Sequence, residues 1–343
     1  MTLEASTVPL AQAYDLALVD LDGVAYRGPV AIPHAAESLT AARAAGMAIE
    51  FITNNASREP GTVADHLRSL GIAATPDEVL SSAQAAAALL GAEVPAGSPV
   101  LVVGGPGLVT AVSEAGFRLV TSADDAPVAV VQGFAQDLSW RDLAEAAYAV
   151  QRGARHIVSN LDLTLPNERG LAPGNGSLVG AVVNATGVTP LSAGKPEPSM
   201  YRLAVERRGA VRPLVVGDRL DTDLGGARAA GYPGLHVLTG VSDARDAILA
   251  APAERPTYLA VDLRGLLERH PAPVPGPDGW WTCGTRAARV VDGALMLDDD
   301  DDVDIDLVRA ACGAAWDAAD AGRPLRPDTV PVLTPAAPPV HGH

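Results

Sequence analysis

Eight short apolar runs recur along the chain, at residues 16–20, 48–53, 100–103, 128–132, 156–159, 214–216, 234–238 and 258–261, and alanine-rich stretches of helical character lie between them. Short apolar runs bounded by polar residues predict buried strands, and strands alternating with helices predict a layered α/β architecture built on a mostly parallel sheet. Such a sheet is covered on both faces and opens its ligand sites at the carboxyl ends of its strands. The residues that follow each run are therefore where function is to be sought.

Bulk properties narrow the classes. With 343 residues, the chain exceeds one ordinary domain, and two or three cores are expected. A formal charge of -16, with lysines and arginines dispersed, argues against a nucleic-acid binder or a protein that docks on anionic membranes, since both need a basic face. Residues 1–10 lack the basic start and apolar core of a secretory leader, and no later segment has the unbroken apolar length to span a bilayer, so a cytoplasmic protein is expected. Cys283 and Cys312 are the only cysteines, too few for a disulfide scaffold or a cysteine zinc site, and read as ordinary thiols.

Four sites carry chemistry, three of them at run ends. Leu16-Ala-Leu-Val-Asp20-Leu-Asp22-Gly23-Val24 places two carboxylates where a strand hands over to glycine. Two residues apart on an extended chain they would point the same way, which is unfavourable unless a cation or a shared proton joins them. Phe51-Ile52-Thr53-Asn54-Asn55 ends a second run in a hydroxyl and two amides, uncharged donors suited to phosphoryl oxygens. Gly194-Lys195-Pro196 sets a lysine, scarce in this arginine-rich chain, between two helix breakers. Residues 213–223 form a run that ends in Gly217-Asp218 and continues as an acidic turn through Arg219, Asp221, Thr222 and Asp223. Taken singly, these read as a solvated loop, a turn, a surface loop and a capping site; in this order and together they are specific.

The set resembles the haloacid dehalogenase (HAD) superfamily of phosphatases, whose four motifs appear as Asp20-Leu-Asp22-Gly-Val, Thr53-Asn-Asn, Lys195, and Gly217-Asp218 through Thr222-Asp223. The likeness is greatest to subfamily IIA, the phosphoglycolate, glycerol phosphate and pyridoxal phosphate phosphatases, which share Thr-Asn-Asn and Gly-Lys-Pro with this chain. Further matches are Ser159-Asn160-Leu-Asp162, Pro166 and Pro173-Gly174-Asn-Gly176-Ser177-Leu178, and the whole covers about residues 14 to 265. The resemblance implies a Rossmann-like three-layer core with an inserted α/β cap of C2 type: core at 1–80 and 192–268, cap at 81–191, and an extension at 269–343.

Carried over by resemblance, Asp20 attacks the phosphorus of a small phosphomonoester to form an aspartyl-phosphate. Asp22 protonates the leaving alkoxide and then deprotonates the hydrolytic water. Mg2+ is held by Asp20, the Asp22 carbonyl and Asp218, with Asp223 steadying the shell. Thr53, Asn54 and Lys195 stabilise the phosphoryl oxygens, with Asn55 beside them. Asp221 reads as a turn or capping residue. The cap excludes water and sets substrate choice through Asn160, Asp162 and Leu165. Asn160 and Asp162 could equally brace their own loop, and an apolar Leu165 against the leaving group disfavours a large charged one. Glycerol 3-phosphate is the leading substrate; phosphoglycolate, a sugar phosphate or a nucleoside monophosphate stay open, as does a sensor or scaffold that binds a phosphometabolite without turnover.

Two segments stand apart. Gly104-Gly105-Pro106-Gly107 after the run 100–103 suggests a dinucleotide-binding turn, but no third glycine stands at the required spacing and Pro106 removes an amide, so a plain strand-to-helix turn is expected. Beyond the linker at 271–277, Asp292-Gly293 between apolar runs predicts a hairpin and residues 303–321 a helix, preceded by five aspartates at 298–302 that read as a favourable acidic helix start rather than a cation site. This β-β-α extension is too small to stand alone and should pack on the core, or on a second copy of the chain, through Trp280, Trp281 and Trp316. The proline-rich tail at 323–343, ending His-Gly-His, is expected to be disordered in part.

Overall fold

The computed structural model describes residues 2–167, 169–299 and 303–335. The chain forms two compact units, one from Met1–Glu50, Ser69–Ala73 and Val205–His343, the other from Phe51–Arg68 and Ala74–Ala204. Strands β1 (Leu16–Asp20), β2 (Ala48–Thr53), β3 (Pro213–Gly217), β4 (Gly234–Val237) and β5 (Tyr258–Ala260) lie within a residue of the expected bounds. In the first unit they run parallel in the order β5-β4-β3-β1, and Ala48 at the start of β2 donates its N–H to the Asp15 carbonyl at 2.9 Å. Leu16 to Val19 and Leu214 to Val216 are buried, as strands covered on both faces must be. The register pairs Val19 with Val216, so β1 and β3 end level and deliver Asp20 and Asp218 to the same edge.

The extension is part of this unit. Val274–Pro275, Trp281–Cys283, Arg286–Val291 and Ala294–Leu297 make an antiparallel four-stranded sheet, two strands more than expected. The hairpin turn is Asp292-Gly293, with φ of 51° and 76°, the left-handed pair that a two-residue turn requires. Helix Ile305–Asp320 packs with Leu220, Leu224, Ile248 and Leu259 in one apolar cluster. Trp316, 1% exposed, lies at its centre, donates Nε1–H to the Ala247 carbonyl at 3.1 Å and carries the Arg255 guanidinium over its ring at 5.3 Å. Trp281 joins the same cluster, so neither ring is offered to a second copy of the chain, and Trp280 stacks with Arg289 at 4.7 Å.

Two parts of this region make specific contacts. The helix is capped by Asp304, whose carboxylate accepts the Leu307 N–H at 2.8 Å, while Asp298 accepts the Ala287 N–H at 2.9 Å; residues 300–302 of the acidic run lie outside the described residues. Within the described part of the tail, Leu325, Val330 and Leu333 enter the apolar cluster, and Arg245 donates to the carbonyls of Pro327 and Val330. The closing His-Gly-His lies outside the described residues.

In the second unit the sheet order is Leu191–Ser192, Arg155–Val158, Ala129–Gln132, Pro99–Val103, Arg118–Val120, all parallel. Leu101, Val103, Val130, Val150 and Val182 fill its core. The second half of β2, Phe51–Thr53, pairs in parallel with Val79–Ser81. The glycine turn at 104–107 leads into helix Pro106–Glu114, and the Gly107 N–H is taken by the Ser57 carbonyl at 3.3 Å, which makes it the plain turn expected. Among the described residues, no helix is long and apolar enough to cross a membrane.

Two outcomes follow for stability. Trp316→Ala removes the centre of the shared cluster and should cost about 3–5 kcal/mol, read as a lower urea midpoint. Burial lowers the pKa of His236 to about 3 and of His156 and His270 to about 4, so each is neutral when folded and takes up a proton on unfolding. These folded values lie below the unfolded value of about 6.5. Stability should therefore be full above that pH and fall as pH drops toward about 4, by up to about 1.4 kcal/mol per pH unit per group. Denaturant midpoints measured from pH 7.5 downward check this, and His236→Leu should remove one group's share of the slope.

Candidate active site

Asp20 closes β1 and Asp218 follows β3, while Asp223 is carried by a π-turn, Leu220–Leu224, in which the Asp223 and Leu224 N–H groups both donate to the Arg219 carbonyl at 3.0 and 3.2 Å. Carboxylate oxygens of the three aspartates lie within 4.8 Å of one another, with Asp218 and Asp223 buried and Asp20 half-buried. Close packing makes this possible. A Cβ at Gly217 would overlap the Asp223 side chain, and one at Gly23 or Gly240 would overlap the Asp218 carboxylate. Gly23 also has φ +91°, which glycine alone adopts without cost. Asp218 Oδ2 accepts the Val241 N–H at 2.7 Å, and Asp223 Oδ2 accepts the Arg219 N–H at 3.2 Å.

Three carboxylates this close and this buried repel one another strongly, and an oxygen-seeking divalent cation such as Mg2+ or Ca2+ relieves the repulsion. The donor set fits such an ion. Asp22 is exposed on the turn after β1, and that turn is pinned: Gly23 N–H donates to Tyr26 O at 2.7 Å, Thr239 Oγ1 donates to Gly23 O at 2.6 Å, and Arg27 donates to Thr239 O at 2.6 Å. Asp221 is exposed and paired with Arg219 at 2.7 Å, in keeping with a turn role.

The remaining candidates belong to the second unit. Thr53 ends β2, is 8% exposed, and its Oγ1 accepts the Asn55 N–H at 3.1 Å. Asn55 is exposed, and its Oδ1 accepts from the N–H and hydroxyl of Ser57 at 2.9 and 2.7 Å, which makes it a turn former. Asn54 Oδ1 accepts the Lys195 N–H at 2.8 Å, while Nδ2 donates to Lys195 O at 3.1 Å and to the Asp162 carboxylate at 3.2 Å. Lys195 is buried. Asn160 braces its own loop: Nδ2 donates to Asn54 O at 2.8 Å, Oδ1 accepts the Asp162 N–H at 3.1 Å, and its carbonyl accepts Asn175 Nδ2 at 2.7 Å. Leu165 is half-buried on the hairpin Thr164–Asn167/Gly170–Pro173, opposite Ala172.

Gly240, Val241 and Ser82 escaped the sequence reading. Thr239-Gly240-Val241-Ser242 directly follows an apolar run, the same signal that marked Asp20 and Asp218, but it holds no charged residue to draw attention. Ser82 donates to Asn54 O at 2.6 Å from the first turn of a helix, with no local signal at all.

Family models described as haloacid dehalogenase-like hydrolase and HAD-hydrolase-like match residues 17–118 and 192–266. D-glycerol 3-phosphate phosphatase of Mycobacterium tuberculosis is 44% identical over 327 residues, covering 92% of this chain and 91% of the relative. Acid sugar phosphatase of Staphylococcus aureus is 38% identical over 252 residues, covering 73% and 95%. The crystal structure of the glycerol phosphate phosphatase of Mycobacterium tuberculosis in complex with magnesium superposes with a TM-score of 0.83 at 44% identity, covering 93% of this chain and 94% of that one.

Gly240→Ala pushes a methyl group into the Asp218 carboxylate and should weaken divalent-cation binding on the order of ten-fold or more in a fold that persists. Gly180→Ala, where a Cβ meets nothing within 4 Å, should leave it unchanged. Calorimetric titration with Mg2+ checks both.

Proposed function

The chain belongs to the haloacid dehalogenase-like hydrolases, and we propose that its reaction is the magnesium-dependent hydrolysis of glycerol 3-phosphate to glycerol and inorganic phosphate. The convergence of Asp20, Asp218 and Asp223 within 4.8 Å carries this reading, because phosphoryl transfer to a carboxylate is favoured by a cation beside the nucleophile.

In this reading an Asp20 oxygen forms a bond to phosphorus while the bond from phosphorus to the glycerol oxygen breaks. Asp22, on its pinned turn, gives a proton to the departing alkoxide. It then takes one from the water that attacks the aspartyl-phosphate, releasing inorganic phosphate and restoring the Asp20 carboxylate. Asp20, Asp218 and the Asp22 carbonyl would hold Mg2+ and Asp223 would steady the shell; the ion neutralises charge that gathers on the phosphoryl oxygens. Thr53 and Lys195 supply donors and charge to those oxygens. Residues 81–191 serve as the cap, with apolar Leu165 against a small uncharged leaving group.

The substrate follows the mycobacterial relative, which acts on D-glycerol 3-phosphate and aligns over nine-tenths of both chains. A sugar phosphate is the second reading, favoured by the staphylococcal relative. The enzyme works in the cytoplasm, a compartment that suits its two free, buried cysteines.

Phosphate release from a panel of short phosphomonoesters tests this. Release from glycerol 3-phosphate should require Mg2+, stop with chelator, and fall on the order of 10^4-fold or more in Asp20→Asn. Preference for a sugar phosphate would favour the second reading, and no release from any ester would leave a binding protein without turnover.

A further inference from the structure

Resting on the phosphatase reading, which gives Lys195 the phosphoryl oxygens, we propose that Asn54 is a positioning residue: its carboxamide latches the Lys195 backbone and the Asp162 loop into one rigid block and does not itself bind phosphate. The hydrogen-bonding groups of the Asn54 side chain are all used inside the protein. A carboxamide has two N–H donors and one oxygen. Here the oxygen accepts the Lys195 N–H at 2.8 Å; of the two donors, one goes to the Lys195 carbonyl at 3.1 Å and the other to the Asp162 carboxylate at 3.2 Å. Both donors are engaged inside the protein, and the orientation is fixed, since the Lys195 N–H can only donate and so must face Oδ1.

The pairing reproduces the two-bond ladder of neighbouring strands, with a side chain standing in for a strand. It is supported from behind. The Asn54 carbonyl accepts from Ser82 Oγ at 2.6 Å and from Asn160 Nδ2 at 2.8 Å, and Asn160 is tied in turn to the Asp162 N–H and to Asn175. Gly194 is the close-approach partner: a Cβ there would stand 2.7 Å from Asn54 Oδ1 and overlap the Ser159 carbonyl. A residue that only lined a phosphate pocket would need none of this. The block joins the residue expected to hold the phosphate to the loop expected to read the leaving group, so a shift of one moves the other.

The test is a double-mutant cycle with a direct readout of the latch. Asn54→Ala, Lys195→Ala and the double variant are compared with the full-length protein for kcat on glycerol 3-phosphate and for affinity of inorganic phosphate with Mg2+. Hydrogen exchange of the Lys195 amide is followed in the same samples. Asn54→Ala should release protection of the Lys195 amide and lower kcat on the order of 10- to 100-fold, the cost of a misplaced group. In the Lys195→Ala background the same change should alter phosphate affinity less than about two-fold, because a residue that acts on phosphate through another has nothing left to lose there. Gly194→Ala should reproduce the loss with Asn54 intact. Losses that add across the cycle would show direct phosphate contact and overturn the proposal, as would an unchanged Lys195 amide. Should the wild-type protein hydrolyse nothing, the amide result still decides the latch, and the phosphatase reading fails separately.

Discussion

Three aspartates held within 4.8 Å of one another, two of them buried, are the constraint around which this edge of the first unit is built. Two unit negative charges about 4 Å apart cost about 4 kcal/mol at an effective dielectric near 20, and three of them make three such pairs. Nothing in local propensity would place them so. They are forced together by the level ends of β1 and β3, by the π-turn that lifts Asp223, and by Gly23, Gly217 and Gly240, whose missing side chains leave the room. Backbone amides of Val241 and Arg219 offset a part of the repulsion. A divalent cation would offset the rest, so that the same arrangement that weakens the fold would supply the chemistry.

Most of the first unit's sheet was legible because its strands are buried on both faces and show as unbroken apolar runs. The short edge strands of the second unit's sheet were not: Arg118–Val120 and Leu191–Ser192 are largely exposed and too brief to carry a period. The polar residues of the candidate site were legible, the Asp, Thr and Asn from their place at run ends and Lys195 from its place between two helix breakers, and these residue types pointed to phosphate. What they touch was not legible. Asn160 and Asp162 read equally well as substrate contacts or as braces of their own loop, and Asn54 read as a phosphate ligand; the hydrogen bonds of their side chains could not be read from the sequence.

The extension shows a different limit. Its turn, at Asp292-Gly293, and its helix were plain, yet its place in the structure depends on where Leu259, Ile248 and Leu220 leave an apolar face for Trp316 and the tail to cover. Residues 274–299 and 303–335 thus complete the first unit's core, and Arg309, 4% exposed with its guanidinium on the Leu259 carbonyl and His270 Nδ1, ties the helix to β5 by polar contacts as well. A composition rich in proline hid this, because order there comes from three anchoring side chains rather than from periodic structure.

The claim on which the rest stands is that the aspartate cluster is held together by a cation. The most direct measurement is thermal unfolding of the wild-type protein and Asp218→Asn, each with chelator and with Mg2+. Removing one of three crowded charges should make the variant the more stable protein in chelator, while Mg2+ should raise the wild-type midpoint and restore its lead. A wild-type midpoint that ignores Mg2+, or one that rises equally in Asp218→Asn, would contradict the account.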